Sequence, residues 1–511
     1  MNEPLVLGVD SSTGSTKVEA RTLAEGDLVG VGRAAHPGTE PPRSEQDPMA
    51  WWSALVDAVG QLGDLRASVV AVSVAAQQHG LVVTDAAGKP IRAAKLWNDT
   101  ESAAVSQAML DALGPHRWVE ACGSVPLPAF TITKLGWLAE HEPEVLARTE
   151  RVFLPHDWLT YVLCGAHVTD RGDASGTGWF DPASGAMVAA GFLERALGVI
   201  GVPVQRFDAD PCGWLRDRVP AVLDPLSAAG RITATAAGEL GLDPGVVVGP
   251  GTGDNMAAAL GLGLAPGDVV VSLGTSGTVY ARSTVRTTDA TGAVAGFADA
   301  TGMFLPLVCT LNATKVTDTV ARWLGVDLDT LSDLALAADP SAPGRPTLVP
   351  YFDGERTPNL PHATGSLEGL RTTTTREDLA LAAHDGVLRG LLAGRDALAA
   401  AGVDVDGALI LVGGGARSEA YRQRLADLAR RTVVVPQEAE SVAAGAAVQA
   451  AAVAEATASA RNPGEVAQGA PPDTGHGSAS TAIDAPPVRG PFDAVASRWR
   501  LGRGQTTAAR G

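Results

Sequence analysis

The stretch Leu5-Val-Leu-Gly-Val-Asp-Ser-Ser-Thr-Gly-Ser-Thr-Lys-Val18 decides the fold of this chain. An apolar run, a turn of serine, threonine and glycine, and a second run follow one another, which predicts a β-hairpin. A second stretch, Val269-Val-Val-Ser-Leu-Gly-Thr-Ser-Gly-Thr-Val-Tyr280, repeats the pattern far along the chain. Two such hairpins predict two similarly built lobes with a cleft between them, rather than a short-period repeat.

The segments after the first hairpin alternate between strand and helix patterns. Residues 69–74 and 81–84 are rich in valine, and residues 51–62 carry apolar side chains at helical spacing. This mixture predicts an α/β fold in which helices cover a sheet. The spacing over residues 130–163 predicts helices, and the alanine-rich residues 442–460 predict one more.

Proline and glycine mark the expected domain boundaries. A proline- and glycine-rich segment at residues 244–250 predicts an N-terminal lobe of residues 1–250 and a C-terminal lobe of residues 251–455. Residues 456–511 turn to alanine, proline, glycine and serine, which predicts a mostly unordered tail in which residues 492–495 are the candidate for local docking.

Composition limits the function. The 511 residues are 45% hydrophobic and 19% charged, as in an ordinary globular protein. A net charge of −18 repels polyanions, so nucleic acid is not an expected partner and any phosphate must be held locally. The four cysteines show no zinc-type or disulfide-type spacing, which fits the cytoplasm. No signal peptide or membrane span is expected.

The turns of the two hairpins are candidate phosphate sites. Consecutive N–H groups in such a turn can converge on an anion without a positive charge, although each turn taken alone is also that of an ordinary hairpin. Asp10 ends the first strand, where its carboxylate could hold Mg²⁺ or merely form an Asx-turn. Lys17 could neutralise a transferring phosphoryl group or could simply be solvated.

A third glycine-rich segment, Gly413-Gly-Gly-Ala-Arg-Ser418, follows an apolar run. The chain contains no G-x-x-x-x-G-K-[ST] motif, which excludes a P-loop. The segment resembles a dinucleotide fingerprint, but Ser418 stands where the third glycine belongs. Close approach of the backbone to adenine or ribose explains the glycines as well, so an NAD-dependent dehydrogenase is a minor alternative.

Two polar segments are candidates for substrate chemistry. Asp254 follows a glycine loop at the start of a predicted helix, so it is either an N-cap or a base that accepts a hydroxyl proton. Gln77-Gln-His-Gly80 follows a predicted strand, where ligands of α/β sheets bind, although His79 could also be a core histidine.

Taken in order, these segments resemble the FGGY family of carbohydrate kinases, within the sugar kinase, Hsp70 and actin superfamily, over residues 5–455. The resemblance implies two actin-like (ribonuclease H-like) domains around a central cleft. The segments that carry it are Gly8-Val-Asp-Ser-Ser-Thr-Gly-Ser-Thr-Lys17, Gln77-Gln-His-Gly80, Leu96-Trp-Asn-Asp99, Asp173-Ala-Ser-Gly-Thr177, Gly251-Thr-Gly-Asp-Asn255, Ser272-Leu-Gly-Thr-Ser-Gly277, Tyr351-Phe-Asp-Gly-Glu-Arg-Thr-Pro358, Gly365-Ser-Leu-Glu-Gly-Leu370 and Gly413-Gly-Gly-Ala-Arg-Ser418.

The resemblance implies transfer of the γ-phosphate of ATP to the 5-hydroxyl of D-xylulose, with Mg²⁺ required. Asp254 matches the family's catalytic base, Asp10 matches the carboxylate near the metal, and the sugar contacts match Gln78, His79 and Asn255. The expected ATP contacts are Thr13, Gly14, Lys17, Gly274, Thr275, Ser276, Gly414, Gly415 and Ser418. A homodimer is an open possibility for the assembly.

The chain departs from the family pattern at three places. Ser12 replaces a glycine of the first loop, Gln78 replaces a methionine common beside the histidine, and His384 occupies an apolar position of the second signature. These changes concern the sugar preference more than the reaction. Ribulose, gluconate or glycerol therefore remain alternative substrates, and a non-catalytic ATP- and sugar-binding regulator is the alternative of another class.

Overall fold

The structure is a computed structural model that describes residues 3–200, 210–437, 440–461, 490–501 and 504–510. These residues form two large sheets, several two-stranded ribbons and the helices that pack on them. In chain order the strands are β1 (Leu5–Ser11), β2 (Ser15–Thr22), β3 (Leu28–Ala35), β4 (Glu45–Gln46), β5 (Val69–Ala76), β6 (Val82–Thr84), β7 (Ala94–Lys95), β8 (Arg151–Phe153), β9 (Val168–Thr169), β10 (Phe180–Asp181), β11 (Ala186–Met187), β12 (Ala221–Val222), β13 (Gly230–Arg231), β14 (Val247–Val248), β15 (Thr252–Gly253), β16 (Val269–Leu273), β17 (Gly277–Ala281), β18 (Ala295–Ala298), β19 (Phe304–Thr310), β20 (Thr347–Val349), β21 (Ser366–Glu368), β22 (Leu409–Val412), β23 (Val433–Pro436) and β24 (Gly504–Thr507).

The helices lie on the faces of the sheets and between the lobes. In chain order they are α1 (Pro48–Gly60), α2 (Ala103–Leu113), α3 (Pro115–Cys122), α4 (Thr131–His141), α5 (Pro143–Arg148), α6 (Pro155–Cys164), α7 (Arg171–Ala174), α8 (Ala190–Val199), α9 (Pro211–Arg216), α10 (Ala234–Leu240), α11 (Asp254–Gly261), α12 (Thr314–Leu324), α13 (Leu328–Ala337), α14 (Arg376–Ala400), α15 (Glu419–Ala429), α16 (Ser441–Arg461) and α17 (Pro491–Arg498). Two 3-10 helices span Gly63–Ser68 and Gly414–Arg417.

The two large sheets share a central arrangement. The first has the order β13-β14-β5-β1-β2-β3, and the second has the order β18-β19-β17-β16-β22-β23-β24. In the first, β1 pairs antiparallel with β2 and parallel with β5. In the second, β16 pairs antiparallel with β17 and parallel with β22. Each lobe therefore contains a central hairpin whose first strand pairs with a parallel strand on its other side. The predicted two-lobed α/β fold is confirmed.

The central strands are buried along their whole length. Each residue of β1 is buried, as is all of β5 except Val70. Strands that are covered on both faces read as continuous apolar runs rather than as alternating patterns, which is why the sequence marks them so clearly. Each lobe has its own apolar core around its hairpin, and a third apolar cluster joins the lobes.

The long helix α16 comes late in the chain but packs against α11 and against β1 and β5 of the first sheet. A Cβ on Gly445 would collide with the carbonyl oxygen of Ala257, and one on Gly8 would collide with that of Ala443. Small residues let these backbones approach closely. Among the described residues, the segment Ser441–Ala460 is long and apolar enough to span a membrane, but most of it is buried in the fold, as in a core helix.

The structure differs from the sequence predictions at three places. The segment predicted as helical contains the short strand β8 between α5 and α6. The strand β15 still pairs with β5, so the first sheet continues beyond the boundary placed after residue 250. The tail predicted from residue 456 falls largely on residues 462–489, outside the described residues, but α16 extends to Arg461 and α17 and β24 are formed.

Candidate active site

Asp254 lies at the first turn of α11, directly after β15. Gly253 is the N-cap residue, so the Asp254 side chain does not cap the helix as one interpretation predicted. Its Oδ1 accepts hydrogen bonds from the backbone N–H (2.8 Å) and the Nδ2 (2.9 Å) of Asn255. No hydrogen bond occupies its Oδ2 among the described residues, which leaves one oxygen to accept a proton.

The surroundings of Asp254 favour the protonated form of its carboxyl group more than water does. Burial, and next the charge of Asp10, raise the pKa of Asp254 to about 7. The pKa of Tyr280 on β17 is raised by burial and by the charge of Asp254. Asp254 is therefore close enough to both hairpins to interact with a charge on either.

Asp10 lies near the end of β1, paired across the hairpin with Lys17. The hydroxyl of Ser12 donates a hydrogen bond to its Oδ1. Burial raises the pKa of Asp10 to about 6, helped by the charge of Glu440 and opposed by Ser12. The carboxylates of Asp10 and Asp254 repel each other and are the hard oxygen donors that Mg²⁺ prefers, so the residues fit a magnesium ion at this edge of the first sheet.

The other predicted ATP contacts of the first hairpin differ in their exposure and in their hydrogen-bond partners. The hydroxyl of Thr13 donates to Gln77 (3.2 Å) and accepts from Trp97 (3.0 Å), while Gly14 is exposed. The ammonium of Lys17 is buried and donates to Glu19 at 2.6 Å. Glu19 also binds Arg21, so one carboxylate faces two cations, and the contact of Lys17 with ATP stays a prediction.

His79 follows the end of β5 in a left-handed conformation, with φ of 63°. Its backbone N–H donates to Asp173 Oδ1 (3.1 Å), and its Nδ1 lies 3.2 Å from the same oxygen. The ring packs between Phe130 and Phe297, and a Cβ on Gly176 would overlap it. Burial lowers the pKa of His79 well below its usual value, so the imidazole is neutral and fixed in orientation.

Gln78 links the histidine segment to Asp254. Its Oε1 accepts a hydrogen bond from Asn255 Nδ2 at 2.7 Å. Its Nε2 is buried and has no hydrogen-bond partner among the described residues. A buried amide donor without a partner is costly, so a substrate hydroxyl that accepts from it would be favoured.

The second lobe forms a cavity of about 810 Å³ beside the glycine-rich segment. Ser418 is the N-cap of α15, and Gly413 has φ of 89°, where a Cβ would meet the Leu273 carbonyl group. The cavity is lined by Thr314, Thr317, Asp318, Ala321, Arg322, Val326, Asp327, Leu328, Asp329, Leu331, His384, Gly414, Gly415, Arg417, Ser418 and Tyr421. Three residues that were predicted to contact ATP, Gly414, Gly415 and Ser418, thus line one cavity large enough for a nucleotide.

The turn of the second hairpin bonds to the start of α12, where Thr314 lines this cavity. The carbonyl of Gly274 accepts from the N–H of Thr314 at 2.9 Å, and the carbonyl of Thr275 accepts from the N–H of Ala313 at 3.3 Å. Thr275 is exposed and Ser276 is half-buried. The turn is therefore anchored at the start of α12, next to the glycine-rich segment that is distant from it in sequence.

Sequence reasoning gave no role to three buried or half-buried cationic groups near His79. Lys134 donates to the carbonyls of residues 128–130, and burial lowers its pKa to about 7. Arg356 belongs to the second lobe, and its charge reaches both His79 and Lys134. His156 lies behind Asp173. Their segments were visible in the sequence, but nothing in their spacing indicates that they converge.

Asp254, Asn255 and Gln78 form a hydrogen-bonded polar cluster, and a cavity large enough for a nucleotide lies beside the glycine-rich segment of the second lobe. The FGGY N-terminal domain of carbohydrate kinases matches residues 5–261, and the FGGY C-terminal domain matches residues 269–454. The chain belongs to the FGGY family of carbohydrate kinases, as its sequence motifs predict.

Individual relatives agree with this assignment. A xylulose kinase of Streptomyces rubiginosus is 47% identical over 450 residues, which cover 88% of each chain. The crystal structure of xylulose kinase from Bifidobacterium adolescentis matches with a TM-score of 0.80 and 40% identity, over 89% of this chain and 93% of that one. Plasmodium falciparum glycerol kinase with ADP has the same TM-score over 99% and 94% of the two chains, but at 18% identity this likeness concerns the fold alone.

Proposed function

We propose that this enzyme transfers the γ-phosphate of ATP to the 5-hydroxyl of D-xylulose, with Asp254 as the general base. The observation that carries the proposal is the Asp254 carboxylate, which has one oxygen without a hydrogen bond among the described residues and a pKa raised to about 7. The relatives named xylulose kinase support the choice of sugar.

The sugar binds beside Asp254 in this proposal. Gln78 Nε2 donates to one hydroxyl, and the neutral ring of His79 contacts another. The Nδ2 of Asn255 donates to both Asp254 Oδ1 and Gln78 Oε1 and so holds the two side chains next to each other. These contacts position the hydroxyl so that Asp254 Oδ2 takes its proton as phosphorus approaches. The largely dissociative transition state needs positioning more than a strong base.

ATP lies across the cavity of the second lobe in this proposal. The glycine-rich segment with Gly414, Gly415 and Ser418 contacts the adenosine, and the two hairpin turns hold the phosphates through backbone N–H groups. Mg²⁺ would be held by Asp10 and would neutralise charge on the phosphates. The four free thiols support a reducing compartment such as the cytoplasm. A homodimer remains a proposal of the sequence alone.

A coupled assay of ADP release tests the function. The enzyme is supplied with ATP, Mg²⁺ and one member of a panel: D-xylulose, ribulose, glycerol or gluconate. D-xylulose should give the highest kcat/KM, and NMR of the product should place phosphorus on the 5-oxygen. A higher kcat/KM for another member would reassign the substrate. No ADP release above the sugar-free rate with any member would reject the kinase and favour the non-catalytic alternative.

A further inference from the structure

A buried histidine lies where three carboxylates meet behind the site. His156 is on α6, and its Nε2 lies 3.2 Å from Asp157 Oδ1, 3.4 Å from Asp170 Oδ1 and 3.6 Å from Asp173 Oδ2. All four side chains are buried. Burial raises the pKa of Asp157 and of Asp173 to about 7, and a cation placed among the three carboxylates stabilises their ionised forms.

One of these carboxylates leads to the sugar site. Asp173 uses its other oxygen, Oδ1, to accept the backbone N–H of His79 at 3.1 Å, and that oxygen lies 3.2 Å from the Nδ1 of the same histidine. Asp173 thus contacts both the backbone and the ring of a residue in the uncommon left-handed conformation. The orientation of His79 depends on where this carboxylate is held.

A second carboxylate leads to Asp254. Asp170 Oδ2 accepts a hydrogen bond from the hydroxyl of Thr252 at 2.6 Å, and Thr252 is two residues before Asp254. Asp170 also accepts from the N–H groups of Gly172 (2.9 Å) and Asp173 (3.0 Å). It therefore ties the start of α7 to the strand β15 that delivers Asp254.

We propose that His156 is a positioning residue whose buried cation holds Asp173 and Asp170 and thereby sets the orientation of His79 and Asp254 together. This inference rests on the proposed roles of His79 and Asp254. No chemistry is assigned to His156 itself, because it acts through the two aspartates.

The groups that face His156 are consistent with a cation. Burial alone would lower the pKa of His156, but Asp157 on its own helix and Asp170 and Asp173 at α7 outweigh burial and raise it to about 9. The charge of Lys134 on α4 also acts on Asp173 and lowers its pKa, against the effect of burial. The backbone of Gly251 passes so close that a Cβ there would lie 2.6 Å from His156 Nδ1, so the ring has little freedom.

The variant His156→Gln removes the charge and keeps a hydrogen-bonding side chain. We expect the KM for the sugar to rise at least tenfold and kcat to fall at least tenfold, with the KM for ATP within twofold of the parent. Two further variants separate the effect transmitted through Asp173 to His79 from the effect transmitted through Asp170 and Thr252 to Asp254. Asp173→Asn should mainly raise the KM for the sugar, and Thr252→Val should mainly lower kcat. The exposed His116→Gln is the matched control and should change neither constant.

A second variant keeps the test decisive if His156→Gln folds poorly. The double variant His156→Gln with Asp157→Asn removes the imidazole together with one of the three carboxylates that face it, so its melting temperature should lie above that of His156→Gln alone. The inference predicts that the sugar KM and kcat stay impaired in this double variant. Recovery of both constants together with the melting temperature would overturn it. Failure of the proposed function would appear differently, as absence of sugar-dependent ADP release in the unsubstituted enzyme.

Discussion

The two hairpins have the same backbone pairing but very different side chains. The first carries Asp10, Lys17, Glu19 and Arg21, and Glu19 binds both cations, at 2.6 Å to Lys17 and 2.7 Å to Arg21. Residues 269–281, which form the second, contain no charged side chain. In the proposed function the two hairpins therefore serve different purposes: the first supplies the Asp10 carboxylate for a metal ion, and the second offers only backbone N–H groups and hydroxyls.

The turns also differ in length. The last pairs are Ser11 with Thr16 in the first hairpin and Leu273 with Gly277 in the second. The first turn thus contains one residue more, and Ser12 uses its position there to donate to Asp10. The first turn is also where the chain departs from the family pattern, because Ser12 replaces a glycine and Gly14 appears two residues later.

The largest effect on kcat should come from removing the carboxylate of Asp254, on which the charge of Asp10 in the first hairpin acts. Asp254→Asn should lower kcat by ~10²- to 10⁴-fold, because no group then takes the hydroxyl proton. ATP binding, measured by calorimetry, should stay within twofold. The exposed Asp57→Asn is the control. Near-parent turnover of a folded Asp254→Asn would leave this residue without a catalytic role.

The same variant makes a prediction about stability. The pKa of Asp254 is raised in the folded state, so the ionised carboxylate disfavours folding increasingly as pH rises from about 4 to about 7. Asp254→Asn should therefore have a higher melting temperature than the parent at pH 8, and this difference should disappear near pH 4. A lower melting temperature at pH 8 would show that burial does not penalise this carboxylate.

The second effect concerns the metal on the first hairpin. Asp10→Asn should raise the Mg²⁺ concentration for half-maximal activity by ~10- to 100-fold, because an amide oxygen is a weaker ligand than a carboxylate. A titration with Mg²⁺ at saturating ATP and sugar measures it. The exposed Asp64→Asn serves as the matched control. An unchanged titration would remove Asp10 from the metal site.

The pH profile connects the two carboxylates. Asp254 must be ionised to act as a base, so kcat/KM should rise with pH through about 7 and fall tenfold for each unit below the pKa. The charge of Asp10 contributes to that raised pKa, so the midpoint should shift to lower pH in Asp10→Asn. A profile with the same midpoint in both enzymes would mean that Asp10 does not act on the ionisation of the base.

A smaller effect should follow from placing a charge on the neutral hairpin. Thr275→Asp puts a carboxylate on the turn proposed to hold phosphate, and like-charge repulsion should raise the KM for ATP by roughly tenfold. The KM for the sugar should stay unchanged. Thr275→Ser keeps the hydroxyl and is the control. Equal KM values for ATP in the two variants would place the phosphates away from this turn.

The smallest effect concerns the glycine-rich segment. Ser418→Ala removes the side-chain oxygen that accepts the N–H of Tyr421 at 3.4 Å, which should reduce stability by about 0.5–2 kcal/mol. Urea unfolding measures the change, and Ser418→Thr is the control because it keeps the cap. A loss as large in Ser418→Thr as in Ser418→Ala would mean that the hydroxyl does not support the helix.

The parts that the sequence predicted share a physical basis. The buried strands of both hairpins are continuous apolar runs, and their turns use residue types with strong local preferences. An element that the sequence analysis missed, β8, is three residues long, which is too short to stand out between two helical patterns. Local periodicity and turn chemistry act within a few residues, so they can be read without the rest of the chain.

The cluster around His156 shows what sequence reasoning could not reach. Its members come from α6, from α7 and from β15, and nothing in the spacing of His156, Asp170 and Thr252 indicates contact. The contact of Lys17 with ATP stays a prediction, and the structure adds that its ammonium donates to Glu19, two residues away on β2. Which ligand a charged group takes depends on burial and distance.

By itself, the sequence determined the two-lobed α/β architecture, the family, and the positions of the turns and of the carboxylate after the glycine loop, because these depend on local patterns. Only the tertiary structure decided that Asp254 starts a helix without capping it, that Asp10 acts on its pKa, and that a buried histidine lies among three aspartates. Pairwise electrostatics and burial depend on separations in space, and the order of residues along a chain does not contain those separations directly.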